Sequence, residues 1–423
     1  MGTITSEQAL RQEAIRRRLR GERSRDICRD LGRSRRWLVK WWAEYRRHPT
    51  SDLADRPRVP HTSPGQVAPE IAGTVVRIRK LLEAATTPAT RYSPIGARAI
   101  AGQLVERAIA PIPSLSSIQR ILQAEGLTHP LGAGEVQAYY PWPVAWEANA
   151  IQATDIITRH IHGGLAIENF HTIDHFSQAI WLGQYTNSTS ATTRQFLLEN
   201  WANLGLPHLH QFDNEGCFSG GHTHPHVIGQ VVRLCLFCGI EPLFTPFYDP
   251  RRNWQIETFH SLWLQLFWSR HTFRDLAHVR RLTPAFRAWY QAHYRPPALD
   301  GRTPDQVWQT IQVRWLRPEL EQLIPAERLP LTVGRLHFMR KVTSDGVIHL
   351  LNEPWLVNRT LAGEYVRATL NLAEQRLTIW RQPDADSPWH LLKTRQFRLK
   401  EPIHDLLPAF RRKCARCRDY YPG

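Results

Sequence analysis

Acidic side chains are scarce relative to basic ones in this sequence of 423 residues, in which 38 Asp and Glu stand against 54 Lys and Arg. The formal net charge is +16, so we expect a polyanionic partner, with nucleic acid favoured over a membrane surface. No run of about 18 uncharged apolar residues occurs, which argues against a membrane span. The first residues also lack a charged start followed by an apolar run, which argues against a secretory signal. We therefore expect a cytoplasmic protein.

Cysteine is also sparse, because six residues in a chain of this length do not make a disulfide scaffold. A reducing compartment is expected. Several cysteines and histidines are nevertheless of the types that bind zinc: Cys235 and Cys238, Cys414 and Cys417, and His222, His224 and His226. Cys235 and Cys238 fall within an apolar helical pattern, where buried free thiols are the usual explanation. We therefore expect no structural zinc.

The positive charge lies at the two ends of the chain. Residues 1–60 hold 16 Lys and Arg against 8 Asp and Glu, and residues 393–423 hold 9 against 3. A single basic run is often only a solvated face. Two basic ends around a nearly neutral middle favour an enzyme-like core tethered to nucleic acid at its margins.

Residues 1–48 have the spacing of a helix-turn-helix DNA-binding domain. Apolar residues recur at helical spacing over 7–20, a second helix is predicted over 24–31 with Ser24 as its cap, and a third over 35–45. Five residues near the start of the third helix are the expected DNA contacts: Arg33, Ser34, Arg35, Arg36 and Lys40. A plain three-helix bundle with a charged exterior remains the alternative.

The proline-rich residues 49–69 are predicted to be a linker. Residues 70–130 then show a second pattern of three helices, with Ser114 and Ser116 as candidate caps of the last one. This could be a second helix-turn-helix domain, but its charge is weaker, so a purely structural helical domain is nearly as well supported.

The central segment predicts an α/β domain. Three β-like runs over 153–161, 167–174 and 178–185 suggest an antiparallel meander. Alternating helix and strand patterns follow, up to a helix over 254–267. This order predicts one mixed sheet covered by helices.

Three acidic residues fall at informative places in that layout. Asp155 lies in the first strand, Asp213 directly follows the fourth, and Glu257 lies near the start of the last helix. Neighbouring strands and an abutting helix could bring the three carboxylates together. Such oxygens suit hard divalent cations, and two ions about 4 Å apart can serve phosphoryl transfer.

Four segments in this order resemble the catalytic core of retroviral-type integrases. They are Thr154-Asp155, then Thr172-Ile173-Asp174-His175-Phe176-Ser177, then Gly205-Leu206-Pro207 before Phe212-Asp213-Asn214, and finally residues 246–253 before Ile256-Glu257. The sequence is most similar to DDE transposases of bacterial insertion sequences, which share that core. The similarity covers residues 145–310.

The resemblance implies a ribonuclease H-like integrase core at 145–310 whose catalytic and metal-binding triad is Asp155, Asp213 and Glu257. It also implies two Mg²⁺ or Mn²⁺ ions, and DNA contacts at Arg251, Arg252 and Asn253. The expected activity is cleavage of DNA at element ends and strand transfer into target DNA by a nucleoid-associated bacterial protein. Because two ends must be joined together, a homo-multimer on DNA is expected.

Other acids and the spacing of the triad need separate accounts. Asp174, Glu199, Glu215 and Asp249 are interpreted as surface charges or caps, with Glu215 the weaker competitor of Asp213. The interval between Asp213 and Glu257 is longer than the family usually has, which indicates a loop insertion around residues 220–226. Trp254 occupies the place of a glycine that is usual in the family.

The C-terminal third is predicted to hold a small β-barrel at 330–400, made of short β-like runs, and a basic tail at 401–423 that contacts phosphates. Two alternatives to the transposase remain at this stage. One is a domesticated or inactive copy that only binds DNA, and the other is a ribonuclease H-like nuclease without strand transfer.

Overall fold

The computed structural model describes residues 7–50, 52–54, 67–128, 138–220, 227–308 and 313–412. The chain divides into two compact units, Met1–Gln66 and Val67–Gly423. Within the described residues, no helix combines the length and the apolarity that crossing a membrane requires. The basic residues 413–423, and with them Cys414 and Cys417, lie outside the described residues, as do His222, His224 and His226.

The first unit is helical, as the sequence predicts. Its helices are α1 (Glu7–Leu19), α2 (Ser24–Asp30) and α3 (Arg35–Arg47). Ala14, Ile27 and Leu38, one from each helix, are fully buried against one another. Apolar residues that recur about once per turn give a helix one apolar face, and these faces form the core of the unit. Gly32, with φ of +62°, makes the turn between α2 and α3.

Of the two serines expected to cap helices in this unit, only Ser34 does so. Ser34 caps α3, since its side chain accepts a hydrogen bond from the Trp37 amide at 3.2 Å. Ser24 is the first residue of α2 rather than its cap, and the N-cap position is held by Arg23 without a side-chain bond. The Ser24 hydroxyl instead accepts a hydrogen bond from Arg18, so the expectation for Ser24 is wrong.

The second unit begins with three helices, α4 (Pro69–Ala84), α5 (Ala97–Glu106) and α6 (Leu115–Ala124). Their apolar faces form a cluster of their own. Ser114 caps α6 by accepting a hydrogen bond from the Ser117 amide, whereas Ser116, the other candidate, lies inside the helix and is not its cap. The segment between α4 and α5 is anchored on the central domain. Tyr92 packs there at an edge-to-face angle of 88° against Phe286.

The central domain alternates strands and helices. Its elements are β1 (Ile151–His160), β2 (Ala166–Asp174), β3 (Ile180–Tyr185), α7 (Ser190–Leu204), β4 (Leu209–Phe212), α8 (Gly216–Ser219), α9 (Gln230–Phe237), β5 (Glu241–Phe244), α10 (Trp254–Leu266), α11 (Leu276–His293) and α12 (Pro304–Trp308), with 3₁₀ turns at Pro250–Asn253, Trp268–Arg270 and Pro297–Leu299. The sheet order in this part is β5-β4-β1-β2-β3, with β1, β2 and β3 antiparallel and β1, β4 and β5 parallel. The expected mixed sheet is confirmed.

Helices cover both faces of this sheet. Successive residues of a strand face opposite sides, so Phe170 joins the cluster of α7 and α9 while Ile173 joins that of α10 and α11. Trp201 and Trp263 are the largest fully buried side chains of the two layers. Burying such rings stabilises each layer by about 1.5–3 kcal/mol per large side chain.

The C-terminal strands continue the central sheet. The elements are α13 (Pro318–Glu321), β6 (Leu331–Thr332), β7 (Arg335–Lys341), β8 (Val347–Leu350), β9 (Glu353–Leu356), β10 (Tyr365–Asn371), β11 (Arg376–Arg381), β12 (His390–Gln396) and β13 (Ile403–His404), with 3₁₀ turns at Arg359–Leu361 and Pro408–Phe410. Strand β7 pairs in parallel with β5, and β10, β11 and β12 follow outward to give nine strands in one sheet. The described strands of this region form an open sheet, with β6/β13 and β8/β9 as separate pairs, so a small β-barrel is not confirmed.

A charged cluster joins the two halves of this sheet. Glu241 at the start of β5 accepts hydrogen bonds from Arg335 at 2.9 and 3.0 Å, and its carboxylate lies 3.0 Å from Nε2 of His337. Burial alone would raise the pKa of Glu241, but the hydrogen bond to His337 and the charge of Arg335 outweigh it and hold that pKa at about 2. The ionised carboxylate is therefore part of the junction between β5 and β7.

Candidate active site

Asp155 lies in the middle of β1, opposite His171 of β2 in the antiparallel register. Only 9% of the residue is exposed. Its Oδ1 accepts a hydrogen bond from the Ile156 amide at 2.9 Å, which orients the carboxylate beside its own strand. A central strand buried on both faces therefore holds this acid in a fixed position.

Asp213 directly follows β4, the parallel neighbour of β1. The register pairs Ile151 with Leu209 and Ala153 with Gln211, and its continuation by two residues brings Asp155 alongside Asp213. The carboxyl ends of parallel neighbours meet at one edge of the sheet, so the strand order itself places the second acid near the first.

The loop that carries Asp213 is fixed from the C-terminal strands. Asn214 donates to the Thr245 carbonyl at 2.7 Å and accepts from the guanidinium of Arg340 at 2.8 Å. Arg340 is 3% exposed, and burial lowers its pKa to about 9. This contact was not predicted from the sequence, because it joins residues 126 positions apart.

Glu257 lies in the first turn of α10, where the helix dipole favours a negative charge. The helix is held on the sheet by aromatic contacts to His171 of β2, whose ring centroid lies 5.3 Å from Phe259 and 4.6 Å from Trp263. A carboxylate oxygen of Glu257 lies within 4.8 Å of one of Asp155. The third acid thus reaches the site from a helix rather than from a strand.

One cavity of about 500 Å³ is lined by Asp155, Asp213 and Glu257, together with Glu215. Burial and the nearby charges of Asp213 and Glu257 raise the pKa of Asp155 well above its ordinary value. Burial also raises the pKa of Asp213, and burial together with the charge of Asp213 raises that of Glu257. The cavity therefore concentrates negative charge that costs free energy without a cation or protons.

A histidine that the sequence reading missed belongs to the same region. The ligand atoms of Asp155, Glu257 and His260 all lie within 4.8 Å of one another, whereas Asp213 lines the cavity without joining this group. His260 is 6% exposed, and burial lowers its pKa to about 4, so its ring is neutral near pH 7. The i,i+3 spacing from Glu257 on a predicted helix was the signal that could have identified it.

These side chains fit a divalent cation. Carboxylate oxygens are the ligands preferred by Mg²⁺, and a neutral imidazole is also accepted by Mn²⁺. The raised pKa values of the three acids are the expected signature of a charge cluster that a cation would relieve. The arrangement can therefore hold metal ions against a phosphate ester.

The other acids considered in the sequence have diverse surroundings. Asp174 is fully buried and accepts hydrogen bonds from the Asn149 amide and from both the amide and the hydroxyl of Ser177, so the surface alternative is wrong for it and it holds a turn. Burial raises the pKa of Asp174 to about 6. Asp249 is paired with Arg252 at 3.1 Å, and Glu215 remains in the cavity.

The three expected DNA contacts before α10 differ in exposure. The Arg251 side chain is 69% exposed. Arg252 is 8% exposed and donates to Asp249 and to the Tyr365 hydroxyl, and Asn253 is 5% exposed and accepts from Gln211 at 2.8 Å. Arg251 is therefore accessible, while Arg252 and Asn253 are engaged inside the protein.

The residues of the first unit that are expected to contact DNA also differ in exposure and in their partners. Arg35, Arg36 and Lys40 are exposed at the start of α3. Arg33 forms an ion pair with Glu7, and the Ser34 hydroxyl is used as the cap of α3. Elsewhere, Cys235 and Cys238 are fully buried free thiols within the apolar cluster under α9.

No protein-family model matches the chain. Among solved structures, the chain is similar to the HTLV-2 integrase catalytic core domain in complex with magnesium, in its trimeric form, at 17% identity and a TM-score of 0.31 over 39% of this chain and 99% of that one. It is also similar to a chain of the simian T-cell lymphotropic virus intasome in complex with PP2A regulatory subunit B56 gamma, at 15% identity and a TM-score of 0.34 over 71% of this chain and 100% of that one. The BIV integrase catalytic core domain matches at 13% identity and a TM-score of 0.28 over 38% of this chain and 95% of that one. At TM-scores this low the likeness carries no chemistry to this chain.

Proposed function

We propose that the chain is a DDE transposase whose ribonuclease H-like core cleaves and joins DNA. The observation that carries the proposal is the convergence of Asp155, Asp213 and Glu257, from two neighbouring parallel strands and one helix, on a single cavity. Their raised pKa values indicate a site built to hold cations rather than a set of surface charges.

Two divalent ions, Mg²⁺ or Mn²⁺, would supply Lewis acidity to the attacking and leaving oxygens of a phosphodiester. Asp155, Asp213 and Glu257 would hold them and keep the reacting phosphate at the cavity. In the first step water attacks the phosphorus of the phosphodiester at the element end and the bond from phosphorus to the 3′-oxygen breaks, which gives a 3′-hydroxyl on the element and a 5′-phosphate on the flanking DNA. In the second step that hydroxyl attacks a phosphodiester of target DNA, so one ester bond forms as one breaks.

The remaining parts of the proposal concern DNA. Residues 1–48 would bind the terminal repeats through α3, with Arg35, Arg36 and Lys40 at the DNA surface, and residues 70–130 would support that contact. Arg251, Arg252 and Asn253 would lie near the DNA beside the cavity. Joining of two ends requires several copies on one DNA, so we propose a nucleoid-associated homo-multimer.

A strand-transfer assay tests this function. DNA carrying the flanks of the source gene is incubated with Mg²⁺ or Mn²⁺ and either the wild type, Glu257→Gln, or Glu319→Gln, whose site is an exposed position on α13. We expect joined products with the wild type and Glu319→Gln, and a loss of about 100-fold or more with Glu257→Gln. Cleavage without joining would favour a nuclease, and binding without cleavage would favour an inactive DNA-binding copy.

A further inference from the structure

A second cavity, of about 480 Å³, lies beside the acidic one, and both are lined by Asn253. Its volume falls in the range of roughly 300–1,000 Å³ typical of small-molecule pockets. The proposed reaction does not use it. Its wall combines aromatic rings and amides: Trp142, Pro143, His175, Gln211, Arg252, Asn253, Trp254 and Gln255.

Two tryptophans of this wall present their rings to the outside. Trp142 is 40% exposed and Trp254 is 46% exposed, and their ring centroids lie 6.3 Å apart at an interplanar angle of 90°. Exposed indole rings offer large flat surfaces on which any planar ring can stack. The guanidinium of Arg252 lies 5.8 Å from the Trp142 ring and supports it from behind.

Three polar atoms of the same wall are buried and have no hydrogen-bond partner within the described part of the chain. They are Oε1 of Gln211, Oε1 of Gln255 and Nε2 of His175. Gln211 is 2% exposed, and its amide is oriented by the bond from Nε2 to Asn253. Burying an acceptor without a donor is unfavourable, so the two amide oxygens point to a ligand that supplies N–H groups.

The neighbouring acidic cavity defines what kind of ligand this can be. This step rests on the proposed function, in which the acidic cavity holds a phosphodiester of DNA. A base attached to the next nucleotide would lie within reach of the second cavity only if it left the duplex stack. Enzymes that take a base out of the stack receive it between aromatic side chains and bind its Watson–Crick edge by hydrogen bonds.

We propose that the cavity formed by Trp142, Trp254, Gln211, Gln255 and His175 binds an unpaired nucleobase next to the reacting phosphate. Stacking on Trp254 supplies affinity for any base, and Trp142, at 90° to that ring, bounds the site from the side. The acceptor oxygens of Gln211 and Gln255 select bases with an exocyclic amino group, so adenine, cytosine or guanine binds better than thymine.

Fluorescence anisotropy with the full chain in EDTA tests this proposal without requiring catalysis. The probes are duplexes carrying the flanks of the source gene with one unpaired nucleotide, either adenine, cytosine, thymine or an abasic residue. Stacking of one base is worth about 1–3 kcal/mol, so we expect the adenine probe to bind at least about 5-fold more tightly than the abasic probe. The Trp254→Ala variant should reduce this ratio to below about 2-fold, while Trp254→Phe should keep most of it.

Two further variants separate the parts of the proposal. Gln255→Met should reduce the preference for adenine over thymine, since the oxygen of Gln211 remains, while preserving the preference of both over the abasic probe. Leu323→Ala, at an exposed site on the chain after α13, is the matched control and should leave every ratio unchanged.

The outcomes distinguish this inference from the function on which it rests. DNA binding with equal affinity for adenine and abasic probes, or a preference that survives Trp254→Ala, would overturn the nucleobase site alone. Absence of binding to all probes would overturn both the nucleobase site and the transposase. Base discrimination without any joining in the strand-transfer assay would support the site and contradict the catalytic function.

Discussion

Asp155 is the most deeply buried of the three acids in the acidic cavity. Its pKa is raised above the ordinary value, so the folded state binds a proton more tightly than the unfolded state does. The metal-free protein therefore loses stability as pH rises from the ordinary pKa of an aspartate through the raised one. Ionisation of this buried carboxyl group beside Asp213 and Glu257 is unfavourable, and a bound cation or a neutral substitution removes that cost.

Replacement of this residue separates charge repulsion from metal binding. We expect Asp155→Asn to raise the Tm of the metal-free protein at pH 7.5, by about 2 °C or more. Millimolar Mg²⁺ or Mn²⁺ should raise the Tm of the wild type but not that of the variant. Differential scanning calorimetry in EDTA and in metal measures both effects, with Glu319→Gln as the control.

A lower Tm for Asp155→Asn in EDTA would show that the carboxylate is structural rather than poised for a cation. An equal metal response in both proteins would place the ions elsewhere. Either result would contradict the metal site.

Single residues were predictable where their role is local. Ser34 and Ser114 were identified as caps because the bond that each accepts comes from an amide three residues away. For Asp174 the cap alternative fits its bonds to Ser177, whereas its burial was not predictable because its partners include Asn149, which lies 25 positions earlier and is brought near only by the fold. His260 was missed because a lone histidine on an apolar helix face is usually a packed core residue.

At the scale of elements, the junction of β5 and β7 depends on charge. The folded pKa of Glu241, about 2, lies below the ordinary 4.5, so its contribution to stability is present above pH 4.5 and is lost as pH falls towards 2. We expect Glu241→Gln to destabilise the protein at pH 7 by about 1.5–3 kcal/mol. The difference from the wild type should shrink as the pH falls from 4.5 to 2.

Urea unfolding followed by tryptophan fluorescence at several pH values measures this difference. Glu374→Gln is the matched control, because its ion pair with Arg376 is half exposed and should contribute little. A difference between Glu241→Gln and the wild type that does not change with pH would assign the effect to packing instead.

Elements with clear periodicity were predictable, and those without it were not. The range predicted for β2 ends at Asp174, as the strand itself does, because apolar residues and turn residues bound it on both sides. Strand β12 was missed since its residues, His390–Gln396, are mostly exposed and polar and show no alternation. It is a strand because its backbone pairs with β11, which a sequence pattern does not display.

At the scale of the whole molecule, the charge of +16 predicts binding to DNA that weakens steeply with salt. We expect Arg35→Ala to weaken binding to the element ends by about 5-fold or more, since one contact of a recognition helix is worth about 1–3 kcal/mol. Arg47→Ala, at the other end of α3, removes the same charge and should cause a smaller loss.

Electrophoretic mobility shifts over a series of salt concentrations, with element ends and with unrelated DNA, measure both variants. Equal losses for Arg35→Ala and Arg47→Ala on both DNAs would show that α3 contributes only non-specific electrostatic attraction to DNA. That result would contradict its role as the reading helix.

The continuity of the C-terminal strands with the central sheet was the feature hardest to predict from the sequence. Its strands were predicted one by one, but the ion pair that anchors them joins Glu241 to Arg335 across 94 positions. Patterns of two or four residues carry no information on such pairing. The region therefore looked like an independent barrel, whereas it extends the central sheet.

That continuous sheet has a consequence for how the protein can be divided. Strand β5 is covered on its outer side by β7, so a fragment ending before Leu331 would leave the backbone groups of β5 that face β7 without partners. A bare strand edge of apolar residues is a template for association with other chains. The central domain of this protein is thus expected to aggregate when it is expressed alone, and its solubility depends on strands that contribute none of the three acids of the cavity.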